Sequence, residues 1–405
     1  MEDGKRTDPG KHRLAVPHVA VLVDTSSEWG RGVVRGIKQY THEHEHWQIF
    51  VEARGMEEHL RLPKGWQGHG IIARVGSSAM ARELQAHRLP VVNVSGIELP
   101  GLSFPRVITD LHASAFMAAQ HLLDRGFRHF AYFSLLGLSY VATHKEAFSH
   151  AVAEAGCPCA VYEIVPVVGA EPDWNLDLGR IAEWLRKLPK PVGILTWNNS
   201  SAREVLLACE VAGLDVPTDV AVMSGTYDEL LSEVVRIPLS GIQPNALHVG
   251  HLAAEMLDQL MRGKPPPSSP VLVRPLRVLT RLSTDTLAVD DVSLIKAMKF
   301  IQENSGHPIR VEEVARAAGL SRRAFERRFQ RVFGRTPAHD IRRAHLELAK
   351  KLLTETDLPM PQIAEKAAFN SAEYMAYVFR DVLGKPPRAF REEARGRASS
   401  DQPAS

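Results

Sequence analysis

Fifteen residues in the last quarter of the chain, 321–335, hold six arginines (322, 323, 327, 328, 331 and 335) against one acid, Glu326. Arginine presents a planar fork of donors that fits phosphate oxygens and the O6/N7 edge of guanine. Phe325, Phe329 and Phe333 recur at i, i+4 and i+8, which makes one apolar stripe on a helix. Such a helix can dock on a core by its stripe and show arginine around the rest of its circumference. The bland alternative is a solvated basic helix in an ordinary bundle.

A second copy weighs against that alternative. Ser321, Phe325, Phe329, Phe333, Gly334, Arg335 and Pro337 recur fifty positions later as Ser371, Met375, Phe379, Leu383, Gly384, Lys385 and Pro387. Ala315 and Gly319 recur forty-nine positions on as Ala364 and Ala368. Each copy reads as helix, tight turn, helix. The alanine allows close helix approach, the glycine suits positive φ, and the serine can cap the second helix. Two such units at fixed separation could read successive major grooves of double-stranded DNA.

The elements that must carry these units follow from composition. A chain of 405 residues, 44% hydrophobic and 24% charged, is expected to form two or three globular domains. Residues 288–395 carry 20 Lys+Arg and 15 Asp+Glu, whereas residues 1–287 carry 28 and 31. The basic excess therefore travels with the repeat, as a nucleic-acid footprint does. No apolar run approaches the ~20 residues of a membrane span. Residues 1–13 lack an apolar signal segment, so a cytoplasmic location is expected. Cys157, Cys159 and Cys209 lack the partners of a zinc site, and no metal or cofactor is expected. The run His42–His46 invites a metal reading, but it falls at a helix end and is expected to be solvated.

From Val16 onward, short apolar runs alternate with amphipathic stretches. Strands are expected over 18–24, 47–52, 70–75, 90–95, 106–110, 129–134, 160–165, 192–197 and 220–224. Helices are expected over 30–44, 79–87, 111–125, 143–155, 176–187, 200–212 and 245–262. This pattern predicts an α/β two-lobed unit with parallel doubly wound sheets, followed by an all-α double helix-turn-helix domain. The expected divisions are a disordered tail at 1–15, a two-lobed ligand-sensing domain at 16–283, a linker at 284–292, a DNA-binding domain at 293–395 and a tail at 396–405. Lobe 1 takes 16–110 and 243–270; lobe 2 takes 111–242 and 271–283. Ligands bind at the carboxyl ends of such strands, so the cleft between lobes is the default site. Asp24, Ser27 and Trp29, then Arg74, Trp197, Asn198 and Asn199, then Thr226 and Tyr227 follow strand ends. Aromatic rings, amides and hydroxyls at one cleft suit a small polar ligand with an apolar face, such as a sugar. The same residues could instead simply cap helices and pack.

The segments 328–337 and 379–391 resemble the AraC/XylS DNA-binding domain, across the whole C-terminal part. Residues 30–37, 70–74, 118–130, 216–222 and 242–244 resemble the LacI-type, periplasmic-binding-protein-like sensor. Together the resemblances span about residues 16–393. They imply a transcription factor, an activator contacting RNA polymerase, dimeric and switched by a sugar effector. Carried over residue by residue, base-reading positions fall on Arg323, Glu326 and Arg327 in the first unit, and on Ala372, Glu373, Ala376 and Tyr377 in the second. Ser321, Arg322, Arg331, Ser371, Arg380, Lys385 and Arg388 are expected to help hold the DNA. In the sensor, His144 stands where the family carries a sugar-gripping arginine. Asn199 and Thr226 stand where it carries aspartates. Neutral groups thus replace charge-assisted hydrogen bonds at three places. Two alternatives stay open: a DNA-binding regulator whose sensor part serves only as a dimerisation scaffold, and an enzyme fused to a DNA reader. Enzyme signatures are weak: there is no Gly-x-Ser-x-Gly elbow or P-loop, and the one His-Glu-x-x-His match is the run His42–His46, expected to be solvated at a helix end.

Overall fold

Val19, Ala20, Val21 and Leu22 are all buried, which requires cover on both faces of their strand. The computed structural model provides it. The structure describes residues 16–396 apart from 45, 52–60, 102–103, 136–137, 165–173 and 290. The tail expected at 1–15 lies outside the described residues, as does all but Gly396 of the tail at 396–405. The expected strand ends Glu52 and Val165 lie outside them too.

Lobe 1 begins with β1 (His18–Leu22), α1 (Glu28–Glu43), β2 (Gln48–Val51), β3 (Gly70–Ala73), α2 (Ser78–Ala86) and β4 (Val91–Asn93). Its four strands are parallel, in the order β2-β1-β3-β4. After β5 (Val107–Thr109) the chain crosses into lobe 2 through α3 (Leu111–Asp124), β6 (His129–Leu135), α4 (Ser139–Glu154), β7 (Cys159–Ile164) and α5 (Trp174–Lys187). It continues through β8 (Val192–Thr196), α6 (Asn199–Ala212), β9 (Val220–Ser224), the short α7 (Glu229–Glu233) and β10 (Ser240–Gln243). The chain then crosses to α8 (Ala246–Met261) and β11 (Val271–Val273), and crosses back to β12 (Arg277–Leu279). The second sheet runs β12-β10-β9-β8-β6-β7, with β12 antiparallel at its edge.

Helix α8 lies on α1 at very short range. A Cβ on Gly36 would stand 1.9 Å from the Leu247 carbonyl oxygen, and one on Gly250 would stand 2.0 Å from that of Val33. Only glycine allows this crossing, which buries Val33 and Ile37 against Val249 and Ala253. One expected division needs correction. Residues 271–273 were expected in lobe 2, but β11 pairs in parallel with β5, Val271 opposite Val107. Val273 and Val107 share the lobe 1 core with α8. The return crossing is therefore at 274–276, because the apolar Val271–Val273 extends the edge that β5 opens. Four elements had no clear periodic signal: α7, β10, β11 and β12 are each five residues or fewer.

The C-terminal domain is all helical: α9 (Val292–Glu303), α10 (Val311–Ala317), α11 (Arg322–Phe333), α12 (Pro337–Glu355), α13 (Met360–Lys366), α14 (Ala372–Leu383) and α15 (Pro387–Ala394). Its two halves have separate cores. Phe325, Phe329 and Phe333 pack with α9 and α10 in one; Met375, Phe379 and Phe390 pack with α13 in the other. The linker is tied down rather than free. The Ala288 amide donates to the Arg125 carbonyl at 2.7 Å, and Leu287 and Val289 pack on the first helical core.

Candidate DNA interface and ligand cleft

The repeat folds as two helix-turn-helix units, α10–α11 and α13–α14. Ala315 and Ala364 are buried where the paired helices meet. Ser321 Oγ accepts from the Ala324 amide at 3.4 Å, and Ser371 Oγ accepts from the Tyr374 amide at 3.1 Å. Gly319 makes the first turn at φ 70°, and Ala368 makes the second at φ 57°. Both second helices end on left-handed glycines, Gly334 and Gly384.

The apolar stripe of α11 is buried, while Arg322, Arg323, Arg327 and Arg331 are exposed. Arg322 is bound by Glu326 at 2.9 Å and also by Glu312. Its charge is thereby held in place along the α11 N-terminus. Arg323 and Arg327 have no ion-pair partner among the described residues, so their forks are open to a ligand. The outer face of α14 is different: Glu373, Tyr374, Tyr377 and Arg380 are exposed, with the two tyrosine rings stacked 6.3 Å apart. Beyond Arg322 and Glu326, two further residues expected to meet DNA already have partners. Lys385 pairs with Glu393, and Arg388 with Glu392 at 3.0 Å. Any phosphate contact from either must compete with these pairs.

The cleft between the lobes encloses about 240 Å³. Asp24, Ser27, Trp29 and Arg74 line it from lobe 1; Trp197, Asn198, Asn199, Thr226 and Tyr227 line it from lobe 2. Arg74 lies over the Trp29 ring, 5.8 Å from its centroid, a cation–π contact that holds both in place. Much of the polar lining is also occupied with local structure. Asp24 Oδ1 accepts from the Ser26 amide and hydroxyl, Ser27 caps α1, and Asn198 caps α6. The Asn199 amide donates to Ser232 Oγ at 2.6 Å, and its oxygen accepts from Ser224 Oγ at 3.3 Å.

His144 departs from expectation. It is fully buried and does not line the cleft. Its Nδ1 shares a hydrogen bond with the Tyr132 hydroxyl at 2.8 Å, and its ring meets the Trp197 ring edge-on at 5.3 Å. Burial lowers its pKa to about 3, so the ring is neutral. It packs against Trp197, which lines the cleft in its place. Tyr140 was missed. Its ring stands 4.9 Å from Trp197 and lines the cleft because α4 starts at Ser139, four residues before the expected start. A tyrosine just after a strand–loop boundary was the available signal. Among the described residues no three His, Cys, Asp or Glu side chains converge as a metal site. No helix among them is long and apolar enough to cross a membrane.

Family models match three stretches: an XylR N-terminal domain at 18–109, a periplasmic binding protein-like domain at 119–284 and a helix-turn-helix domain at 314–393. The chain is 30% identical to the xylose operon regulatory protein of Escherichia coli (strain K12), covering 92% of this chain and 96% of that one. It belongs to the family of xylose operon regulatory proteins. The Haemophilus influenzae member is also 30% identical, over 92% of this chain and 97% of its own. A solved structure of the xylose-binding transcription activator XylR superposes with a TM-score of 0.60 at 27% identity, covering 94% of this chain and 98% of that one. This regulator therefore is a DNA-binding transcription regulator of the AraC type with a periplasmic-binding-like front part, and not an enzyme.

Proposed function

We propose that this protein is a cytoplasmic, sequence-specific transcription activator switched by a small polar ligand, a sugar, held between its two lobes. The observation that carries the reading is the cleft itself. Trp29 and Arg74 from one lobe face Trp197 and Tyr227 from the other, so a ligand there touches both lobes at once. Aromatic faces suit the C–H side of a sugar ring, while Arg74 offers donors to its hydroxyls. A ligand that contacts both lobes binds the closed arrangement better than the open one, and that difference is what can drive a switch. In the reading unit, Arg323, Glu326 and Arg327 recognise base edges of promoter DNA. The active form is a homodimer that engages RNA polymerase, and the relatives' names support a pentose as effector.

One observation favours a second reading, a regulator whose lobes serve only as a scaffold. Of the three positions expected to grip a sugar, Asn199 spends its side-chain hydrogen bonds inside the protein, and His144 is buried and does not line the cleft. Thermal unfolding of the full chain against pentoses, hexoses, deoxysugars, sugar acids and sugar phosphates separates the two. A true effector at 100 times its Kd adds about 2.7 kcal/mol of stability. No shift across the panel, with promoter binding intact, favours the scaffold.

A further inference from the structure

The helical domain is not tethered to the lobes by the linker alone. It is docked on both of them, through different residues. On lobe 2 the contact is ionic and buried. Asp124, at the C-terminal end of α3, pairs with Arg335 at 2.9 Å and with Arg343. Arg335 reaches back to Asp340 at 2.5 and 3.0 Å, so two carboxylates and two guanidiniums close one network. The Asp124 and Asp340 side chains are 6% and 1% exposed, which excludes a casual surface pair. Arg335 follows the first recognition helix and Arg343 lies on α12. Arg128 of lobe 2 adds a bond to the Val332 carbonyl near the end of α11. At the hinge, Arg277 bridges Gln243 at 3.0 Å and Glu355, the last residue of α12, at 2.8 Å.

Among the described residues, lobe 1 meets the second half of the helical domain through α8 and α15. Asn245 caps α8 with its oxygen and donates its Nδ2 to the Glu393 carbonyl of α15 at 3.2 Å. Leu247, in the first turn of α8, meets the chain at Gly396. Helix α15 in turn holds the α14 core, with Phe390 and Phe379 edge-on at 5.8 Å. Helix α3 adds a direct path. Leu111 and Ser114 at its start line the cleft, while Asp124 at its end grips the first unit.

We propose that the two lobes set the angle between the two recognition helices. Asp124 and Arg277 are positioning residues that mount the first unit and α12 on lobe 2. Asn245 is the positioning residue through which lobe 1 bears on α15 and so on α14. Rotation of one lobe against the other then pushes the second unit relative to the first. DNA that needs a particular angle between α11 and α14 is bound in one lobe arrangement and lost in the other. The proposed cleft ligand is what turns the lobes, but the mounting can be tested without it.

Spin labels built in as encoded amino acids at the exposed positions Arg331 and Val382 report the distance between α11 and α14 in the unliganded full chain. The three native cysteines stay in place. Asn245→Asp keeps the α8 cap and replaces the donor to α15 with a charged acceptor. Asp124→Asn removes the charge that holds Arg335 and Arg343. The wild type is expected to give one narrow distance, and each variant a shifted or broadened one. A helical domain rigid in itself keeps the wild-type distance in both variants, and that result overturns the proposal. Arg343→Gln attacks the same network from the helical side and must reproduce Asp124→Asn. Because no sugar is added, a blank in the sugar screen leaves the distances and their meaning intact.

Discussion

Glu28 and Asp228 clasp each other across the mouth of the cleft. The Glu28 amide donates to Asp228 Oδ2 at 3.0 Å, and the Glu229 amide donates to Glu28 Oε2 at 2.7 Å. Each carboxylate thus sits at the start of the other lobe's helix, where free amides and the helix dipole favour negative charge. The two like charges are tolerated because each has its own donors. Glu28→Ala removes one of the two bonds. With partial exposure its loss is worth about 1 kcal/mol, or roughly fivefold in the closed-to-open ratio. Small-angle scattering of the protein is expected to show a more open pair of lobes in Glu28→Ala than in the wild type.

Ala368 takes the turn position that Gly319 takes in the first unit, at nearly the same left-handed φ. A Cβ in this conformation costs about 1–2 kcal/mol. Ala368→Gly is therefore expected to raise the midpoint of the helical domain's transition in calorimetry, and Gly319→Ala to lower it. Space is not the reason at Gly319, where an added Cβ meets nothing within 4 Å.

Arg323 and Arg380 are both exposed but lie on different recognition helices. If Arg323 reads a base edge, Arg323→Ala costs about 1–3 kcal/mol at one base pair and relaxes selectivity there. Arg380→Ala is expected to weaken all sequences alike and to reduce the salt dependence of binding. Titration against single-base-pair variants of a selected operator checks both. Uniform weakening by Arg323→Ala assigns it to phosphate instead.

His144 gives the protein a defined acid sensitivity. Its folded pKa of about 3 lies below the unfolded value near 6.5, so both states are neutral above pH 6.5. As the pH falls below that, only the unfolded chain gains a proton, and stability drops by up to about 1.4 kcal/mol per pH unit until the folded pKa is reached. His121 and His248 are shifted the same way by burial. Denaturation of wild type and His144→Gln at pH 7 and pH 5 isolates the share of His144. The variant should lose less between the two.

Much of this molecule was legible in one dimension because its signals are local. The stripe of Phe325, Phe329 and Phe333, the serine caps and the fifty-residue repeat depend on neighbours a few residues away. So do the buried strands such as Val19–Leu22, whose unbroken apolar runs predict cover on both faces. The strand ends also named nine residues that the fold brings to one cleft.

Other features arose only when distant segments met. Whether Val271–Val273 extends one lobe or the other depended on the free edge of β5, about 160 residues earlier. His144 matched a ligand position in register, yet the Trp197 ring lies over it, and only packing reveals that. Asp124 and Arg335 are 211 residues apart, and each taken alone reads as an ordinary surface charge. Composition and periodicity determined most of the longer helices and strands and the two helix-turn-helix units, since hydrogen bonding and side-chain period act over a turn or two. The tertiary structure alone decided which charges are buried together, because desolvation and pairing are properties of a contact and not of a residue.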